Sequence, residues 1–319
     1  MKNEMWTPVA VVGAGALGCY FGGMLARTGA AVKLIGRRVH VEAIMRDGLG
    51  FESHGRQQFI PVAATERIAG VAGARLVLFS VKSNDTDAAA REIAQYLAPE
   101  AVVLSLQNGV DNVARIRLHL KQQVVPALVY AAAEMSAPGR VRHTGGGNLI
   151  IGRLRDGHPG DAACERPLDE LAAFLTEAGI PVAISDRIEI ELWSKLVMNC
   201  AYNAISALCG ARYGAMVAQP EVRAVMSDAV NEVAAVAAAK GIRLPDNIVA
   251  AAIRLADGMP VTMSSTAQDI RRGKRTEIDY LNGYVAREGE ALGIPTPVNR
   301  TLNALVKLLE QADPAAQEP

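Results

Sequence analysis

The chain has 319 residues, half of them hydrophobic, and 33 basic side chains balance 33 acidic ones. That length exceeds what one ordinary core organises, so two domains are predicted. The neutral balance gives no electrostatic argument for nucleic acid or an anionic membrane surface, and an anionic ligand must be met by local charge.

Cys19, Cys164, Cys200 and Cys209 show neither metal-ligand spacing nor the framework of a small secreted scaffold. They read as small core residues in a reducing compartment, with no metal site. The opening MKNEMWTP carries charges of both signs and leads straight into a strand, so no signal peptide is visible. No stretch of membrane-spanning length is free of charge, Gly or Pro, and a soluble cytoplasmic protein is expected.

Val9 to Val12 is a short β-branched run, ended by Gly13-Ala14-Gly15-Ala16-Leu17-Gly18 and followed by a helical pattern from Cys19 to Thr28. Gly29 closes that helix, and Ala31 to Ile35 is the second predicted strand. A chain with 29 glycines produces such spacings by chance, but strand, glycine turn, helix, strand is the context a dinucleotide fingerprint requires. Gly13 allows the tight turn, Gly15 lets the backbone approach a pyrophosphate, and Gly18 lets helix and strand pack closely. The helix N-terminus offers N–H groups to the phosphate charge.

The end of the second strand bears on which dinucleotide. A site for NAD places an Asp or Glu there to accept from the ribose 2′-hydroxyl. This chain has Gly36-Arg37-Arg38 and no acidic residue before Glu42. Two guanidinium groups where a 2′-phosphate would lie favour NADP(H); the alternative is a solvated strand end.

Leu76 to Val81 and Val102 to Leu106 are continuous apolar runs, the pattern of parallel strands covered on both faces. Lys82 and Gln107-Asn108-Gly109 stand at their carboxyl ends, where open parallel sheets bind ligands, although QNG is also an ordinary turn sequence. Val124 to Tyr130 and the segment from Gly139 to Gly152 predict further strands, the latter as antiparallel strands joined through its glycines. His143 within it suits a hydrogen-bonded structural role better than a catalytic one. A helix near Pro167 to Glu177 and a strand from Pro181 to Ile184 finish this domain, with a boundary near Asp186.

Strand signals then vanish. Glu191 to Leu208 is apolar on nearly every side, as a buried helix is. Yet Lys195, Asn199 and Asn203 fall at i, i+4 and i+8, one stripe drifting about 40° per step over a rise of ~12 Å. An ammonium and two amides facing a buried space are costly unless something polar meets them. Two explanations stand: a structural polar seam with Lys195 snorkelling out, or a cleft where Lys195 is an acid or anion clamp and the asparagines orient a ligand.

Further helices are predicted over Glu221 to Lys240, from Pro245, over Ser264 to Arg272 and Thr276 to Leu292, and up to about Gln311, with a frayed tail from Asp313 to Pro319. The Ala- and Val-rich Glu221 to Lys240 helix would bury against the first domain or against a second copy in a homodimer, and composition does not choose. Thr276 followed by Asp279 is a near capping box, which puts Glu277 in a first helical turn. Spacing favours that local role; the functional reading has Ser265 and Glu277 facing Lys195.

Taken together, these residues make the chain resemble the ketopantoate reductases (2-dehydropantoate 2-reductases) over essentially its full length. The resemblance rests on GAGALG, Arg37, VK at Lys82, QNG at Asn108, WSKLVMNCAYN at Lys195, and SS…D…G…TEID from Ser264 to Asp279. It implies an α/β fold with an N-terminal Rossmann-type NADP-binding domain, residues 1–186, and an all-helical C-terminal substrate domain, residues 187–319. It implies NADPH-dependent reduction of ketopantoate to pantoate, in pantothenate biosynthesis, with Lys195 as general acid and Glu277 on the substrate hydroxyl or ketone oxygen. Asn108, Asn199, Asn203 and Ser265 would position substrate and nicotinamide. Gly13, Ala14, Gly15, Ala16, Leu17, Gly18, Arg37 and Lys82 would hold the cofactor, with Asn108 and Glu277 also among its contacts.

Two positions depart from the family pattern. Tyr213 stands where some members carry an asparagine that reaches the substrate, and Asp85 where some carry a cofactor-side glutamine. The first keeps a different branched or aromatic 2-oxo acid open as substrate. A non-catalytic NADP(H)-binding redox sensor and a 3-hydroxy-acid dehydrogenase of related architecture also stay open. The sensor predicts a degraded catalytic set, whereas Lys195, Asn199, Asn203 and Glu277 are all in place.

Overall fold

A computed structural model describes residues 5–53, 55–154 and 167–312. The chain divides into two compact units, Met1–Ile188 and Glu189–Pro319. Cys164 and the tail from Asp313 lie outside the described residues.

Strands of the first unit are β1 (Val9–Val12), β2 (Val32–Ile35), β3 (Leu49–Ser53), β4 (Arg56–Ile60), β5 (Ala63–Thr65), β6 (Leu76–Phe79), β7 (Val102–Ser105), β8 (Gln123–Ala137), β9 (Arg140–Gly152) and β10 (Val182–Ser185). They run in the order β4-β3-β9-β8-β7-β6-β1-β2-β5, with β10 beside β9. β1 lies in parallel register with both β2 and β6, Val11 opposite Leu34 on one side and Leu78 on the other. The chain leaves β1 toward β2 and later returns to its other side as β6. The crevice at the carboxyl end of β1 is therefore a topological switch point, where doubly wound sheets take their ligands.

Burial on both faces explains the continuous apolar runs. Val9, Val11, Leu76, Leu78, Val102 and Leu104 point to one core, shared with Phe21 and Leu25 of the helix Ala16–Ala26 and Leu171 of the helix Leu168–Glu177. The alternating Ala10, Val12, Val77, Phe79 and Val103 point to the other, with Ala90, Ile93, Val113 and Ile116 from the helices Thr86–Ile93 and Asn112–Arg117.

Two strand expectations need correction. The segment after Gly139 is one long strand antiparallel to β8, not two strands joined through glycines. Its glycines lie where the ladder shifts register, between Tyr130 and Ala131 and between Ala132 and Ala133, with Gly146 and Gly147 at φ +68° and +125°. Glycine here makes a bulge rather than a turn. The strands β3, β4 and β5 carry weaker patterns that do not stand out in the residues. β4 is exposed at four of its five positions, so no buried face marks it in the sequence. His143 holds the expected structural role: Ser53 Oγ lies 3.1 Å from its Nδ1, Gly146 O lies 3.0 Å from its Nε2, and Tyr20 stacks on its ring.

The second unit is helical. Its central helix Ile188–Cys209 buries Trp193, Leu196, Val197, Cys200, Ala201, Tyr202 and Ala204, the all-round burial its apolar circumference demands. The stripe Met226, Ala229, Val230, Val233, Val236 and Ala237 of the helix Pro220–Ala239 is buried as well. That helix packs on the helices Tyr213–Ala218, Ile248–Gly258, Asn282–Leu292 and Pro297–Gln311 of its own unit. Among the described residues no helix is long and apolar enough to cross a membrane.

Helix starts depart from expectation in two places. The helix expected from Pro245 begins at Ile248, after a turn in which Ile248 N–H donates to Pro245 O. The segment after Thr276 is a short 3-10 turn, Ile278–Tyr280, followed by a separate helix from Asn282. Thr276 Oγ1 does accept an N–H, at 3.2 Å, but from Ile278 two residues on. Asp279 pairs with Lys307 at 3.0 Å instead of closing a capping box, and the Thr276 N–H donates to Glu310 Oε1 at 2.6 Å. Side chains from the last helix displace the local partners.

Candidate functional site

The glycine turn of the first unit is held by backbone hydrogen bonds. Gly13 and Ala14 N–H both donate to Ile35 O, at 3.0 and 2.9 Å, which ties the turn to the end of β2. Ser80 Oγ donates to Gly13 O at 2.9 Å and fastens the turn to the end of β6. Gly13 has φ +103°, and a Cβ there would stand 2.6 Å from Val81 N. A Cβ on Gly18 would stand 2.2 Å from Gly13 O. Both positions are glycine because the chain itself leaves no room.

Gly15 differs: a Cβ there meets nothing within 4 Å. Its φ of −88° is one that any residue adopts. Nothing in the protein requires glycine at this position, so the open cradle fits a ligand approaching the backbone. The helix behind it has no acidic residue in its first turn and no side-chain cap, which leaves the N–H groups of Ala16, Leu17 and Gly18 and the positive end of the dipole for an anion. A pyrophosphate suits this arrangement.

Of the two arginines after β2, the structure separates one from the other. Arg38 Nε is tied to Glu42 Oε1 at 2.6 Å, an exposed ion pair. Arg37 is exposed at the N-cap of the helix Arg38–Asp47 and makes no ion pair among the described residues. Gly36 beside it lies against Ala14, where a Cβ would come within 2.6 Å of the alanine's own. Arg37 thus leaves the strand end that is seated on the glycine turn.

Lys82 and Asn108 follow β6 and β7, both half-buried. Asn108 is anchored through its carbonyl, which accepts from Asn112 Nδ2 at 2.6 Å and Ser83 Oγ at 3.1 Å. Gln107 Nε2 donates to Val81 O at 3.0 Å and to Thr86 Oγ1 at 2.7 Å, and Ser105 Oγ donates to its Oε1 at 3.2 Å. Ser83, Thr86, Ser105, Gln107 and Asn112 are all buried. This network fixes the two strand ends together, and inspection of the sequence does not find it. The signal is there all the same: five polar side chains flanking two uniformly apolar strands are more than a turn needs. Asp85 ends the 3-10 turn Ser83–Asp85, its N–H donating to Lys82 O at 2.8 Å.

In the second unit Lys195, Asn199 and Asn203 do line one stripe of the central helix. Asn203 is 3 % exposed. Lys195 is half-buried, and its ammonium is shifted down from its ordinary value of 10.5 to about 8. Burial is the larger cause, and the Glu277 carboxylate opposes it. The net sign, which the residues alone leave open, is downward.

Ser265 is exposed at the first position of the helix Ser265–Arg271, whereas the buried Ser264 caps it, accepting from Ala267 N–H at 3.0 Å. Ser264 Oγ also donates to Asn203 O at 3.2 Å, fastening this helix to the central one. Tyr213 is buried in the unit core, its ring 4.3 Å from that of Tyr202, and burial pushes its hydroxyl up to about 12.

Two family profiles match the chain. The family profile described as "Ketopantoate reductase PanE/ApbA" matches residues 9–156, and "Ketopantoate reductase PanE/ApbA C terminal" matches residues 187–310. The 2-dehydropantoate 2-reductase of Halobacterium salinarum is 33% identical over 306 residues, 95% of this chain and 99% of the relative. The chain belongs to the ketopantoate reductase family. The 2-dehydropantoate 2-reductase of Mycobacterium tuberculosis is 31% identical over 314 residues, covering 97% and 98% of the two chains. Among solved structures, a PanE/ApbA family ketopantoate reductase from Ralstonia eutropha JMP134 superposes with TM-score 0.87 at 50% identity, covering 95% and 98%. A ternary structure of D-mandelate dehydrogenase with NADH and anilino(oxo)acetate superposes with TM-score 0.86 at 27% identity, covering 95% and 98%. Family membership accounts for the Rossmann-like unit followed by a helical one and makes a nicotinamide dinucleotide the cofactor class.

Proposed function

We propose that this protein is an NADPH-dependent reductase of 2-dehydropantoate, acting in the cytoplasm on the route to pantothenate. The observation that carries the reading is Lys195: an ammonium drawn from water, opposed by the Glu277 carboxylate, on one helical stripe with Asn199 and the buried Asn203. The first unit serves as the cofactor domain and the second as the substrate domain. Gly13 to Gly18 take the pyrophosphate on backbone N–H groups, and Arg37 pairs with the 2′-phosphate. Lys82 and Asn108 stand at the strand ends beside the cofactor. The bound nicotinamide supplies the hydride.

The chain's own residues manage the charge and the proton. Reduction of a 2-keto group builds negative charge on its oxygen. Lys195 stabilises that charge and then gives up a proton from Nζ to it. An amine with a pKa of about 8 suits this work: it is mostly protonated at neutral pH, yet it parts with the proton far more readily than a solvated lysine. Glu277 keeps the ammonium from losing its proton too early and accepts from the substrate hydroxyl. Asn199, Asn203 and Ser265 orient the acid by hydrogen bonds.

A second substrate reading has its own support, because a D-mandelate dehydrogenase structure with NADH and anilino(oxo)acetate shares the fold. It predicts an aromatic or different branched 2-oxo acid. The deciding experiment follows loss of NADPH absorbance with ketopantoate beside a panel of branched and aromatic 2-oxo acids. The highest kcat/KM with ketopantoate is the expected result. A preference for an aromatic acid would overturn the substrate assignment, and tight NADPH binding without turnover of any acid would make the protein a sensor.

A further inference from the structure

Glu277 lies in a loop, not in the helix that its sequence neighbours suggest. It directly precedes the 3-10 turn Ile278–Tyr280, in a stretch with no regular secondary structure before it from Lys274 to Thr276. Such a stretch does not by itself hold a carboxylate at a fixed place.

Two side chains of the last helix hold it. Glu310 Oε1 accepts from the Thr276 N–H at 2.6 Å, on the N-terminal side of Glu277. Lys307 Nζ donates to Asp279 Oδ1 at 3.0 Å, on the C-terminal side. Lys307 and Glu310 are three residues apart on the helix Pro297–Gln311, so they share a face. One reaches out a negative group and the other a positive one, and Glu277 lies between their attachment points. Arg287 Nη1 adds a bond to Asp279 O at 2.8 Å. Thr276 and Ile278, the immediate neighbours of Glu277, are buried.

We propose that Glu310 and Lys307 are positioning residues that clamp the turn carrying Glu277 and thereby set its placement opposite Lys195. This inference rests on the assignment of Lys195 and Glu277 as the proton-handling pair. Neither clamp residue touches the reacting atoms. Their effect on Lys195 passes through Glu277, whose carboxylate is the charged group felt by that ammonium. If the clamp is released, Glu277 opposes burial less well and Lys195 loses its proton at lower pH.

The test reads the titration of Lys195 directly, by NMR of the full-length protein labelled at lysine Cε, with the signal assigned by its absence in Lys195→Met. Wild type is expected to titrate at about 8. Glu310→Ala and Lys307→Ala should lower it by about one unit, the size expected when an opposing charge moves away. Glu310→Gln keeps the acceptor oxygen and should restore the wild-type titration. Circular dichroism melts show whether each variant is folded at the temperature of the titration. Folded Glu310→Ala and Lys307→Ala with an unmoved Lys195 titration would overturn the clamp. So would a Glu310→Gln variant that behaves as Glu310→Ala does. The titration needs no substrate, so a protein that reduces none of the 2-oxo acids would sink the functional assignment while leaving the clamp tested on its own terms.

Discussion

The glycine turn and the Lys195 stripe are both proposed to present polar groups to a ligand, and they do so by opposite means. In the turn the groups proposed to act are backbone N–H donors, positioned by contacts inside a few residues of chain and by two neighbouring strand ends. In the stripe they are side chains on a helix whose partners come from far along the sequence: Ser264 on the Asn203 carbonyl, and Glu277 with the Glu310 and Lys307 side chains around it. Function carried by backbone is robust to most side-chain changes but intolerant at glycine. Function carried by side chains depends on a scaffold that local sequence does not reveal.

The largest expected effect lies in the stripe. Lys195→Ala should lower kcat/KM by ~10²–10⁴, with NADPH affinity unaffected, measured by steady-state kinetics and by fluorescence titration of the cofactor. As the proposed proton donor, Lys195 loses its proton as pH rises through its lowered value of about 8, so kcat/KM should fall on the alkaline side from there. Because the folded ammonium titrates below an ordinary lysine, the decline comes well before pH 10. A profile flat to pH 10 would remove Lys195 from proton transfer and return the stripe to a structural seam.

A second experiment breaks the turn apart from within. Gly18→Ala places a methyl 2.2 Å from Gly13 O and should destabilise the first unit, seen as a lower melting temperature. Gly15→Ala meets no protein atom within 4 Å and keeps an ordinary φ, so the melt should be unchanged while NADPH binding weakens. If both substitutions act only on stability, the cradle has no ligand to explain it. The contrast separates glycine required by folding from glycine required by function.

The same contrast explains what can be read from the residues alone. The Rossmann turn is legible because strand, glycines and helix follow one another, and Gly13 and Gly18 each have a local reason. The stripe is legible as geometry, since helical spacing puts Lys195, Asn199 and Asn203 on one side. Its electrostatics are not: burial and Glu277 pull the ammonium in opposite directions, and only their relative size gives the sign. The capping box at Thr276 misleads because its local partners are outcompeted by Glu310 and Lys307. Ser264 and Ser265 are adjacent and chemically identical, so nothing in the residues says which one turns inward as the cap. The network of Gln107 and its neighbours is hidden for a similar reason. QNG satisfies a turn by itself, and the buried partners Ser83 and Thr86 come from the loop after a different strand.

The smallest expected effect concerns Arg37, and it sharpens the comparison because here the turn relies on a side chain. Arg38 is bound to Glu42, so of the two arginines Arg37 is the one available for a 2′-phosphate beside Gly36. Arg37→Ala should cost about 1.5–3 kcal/mol of NADPH binding, the range for a hydrogen bond to a charged group, or roughly 10- to 150-fold. NADH, which lacks that phosphate, should bind the variant and the wild type alike. The ratio of kcat/KM values for the two cofactors therefore isolates this one guanidinium from everything the backbone does. Raising ionic strength should narrow the wild-type ratio, since Arg37 is exposed and its attraction is screened. If Arg37→Ala leaves the ratio unchanged and Arg38→Ala abolishes it, the Glu42 pair opens on binding and the wrong arginine has been assigned. If neither does, the preference for a phosphorylated cofactor does not come from this strand end, and the NADH-bound fold relative becomes the better guide to what this protein uses.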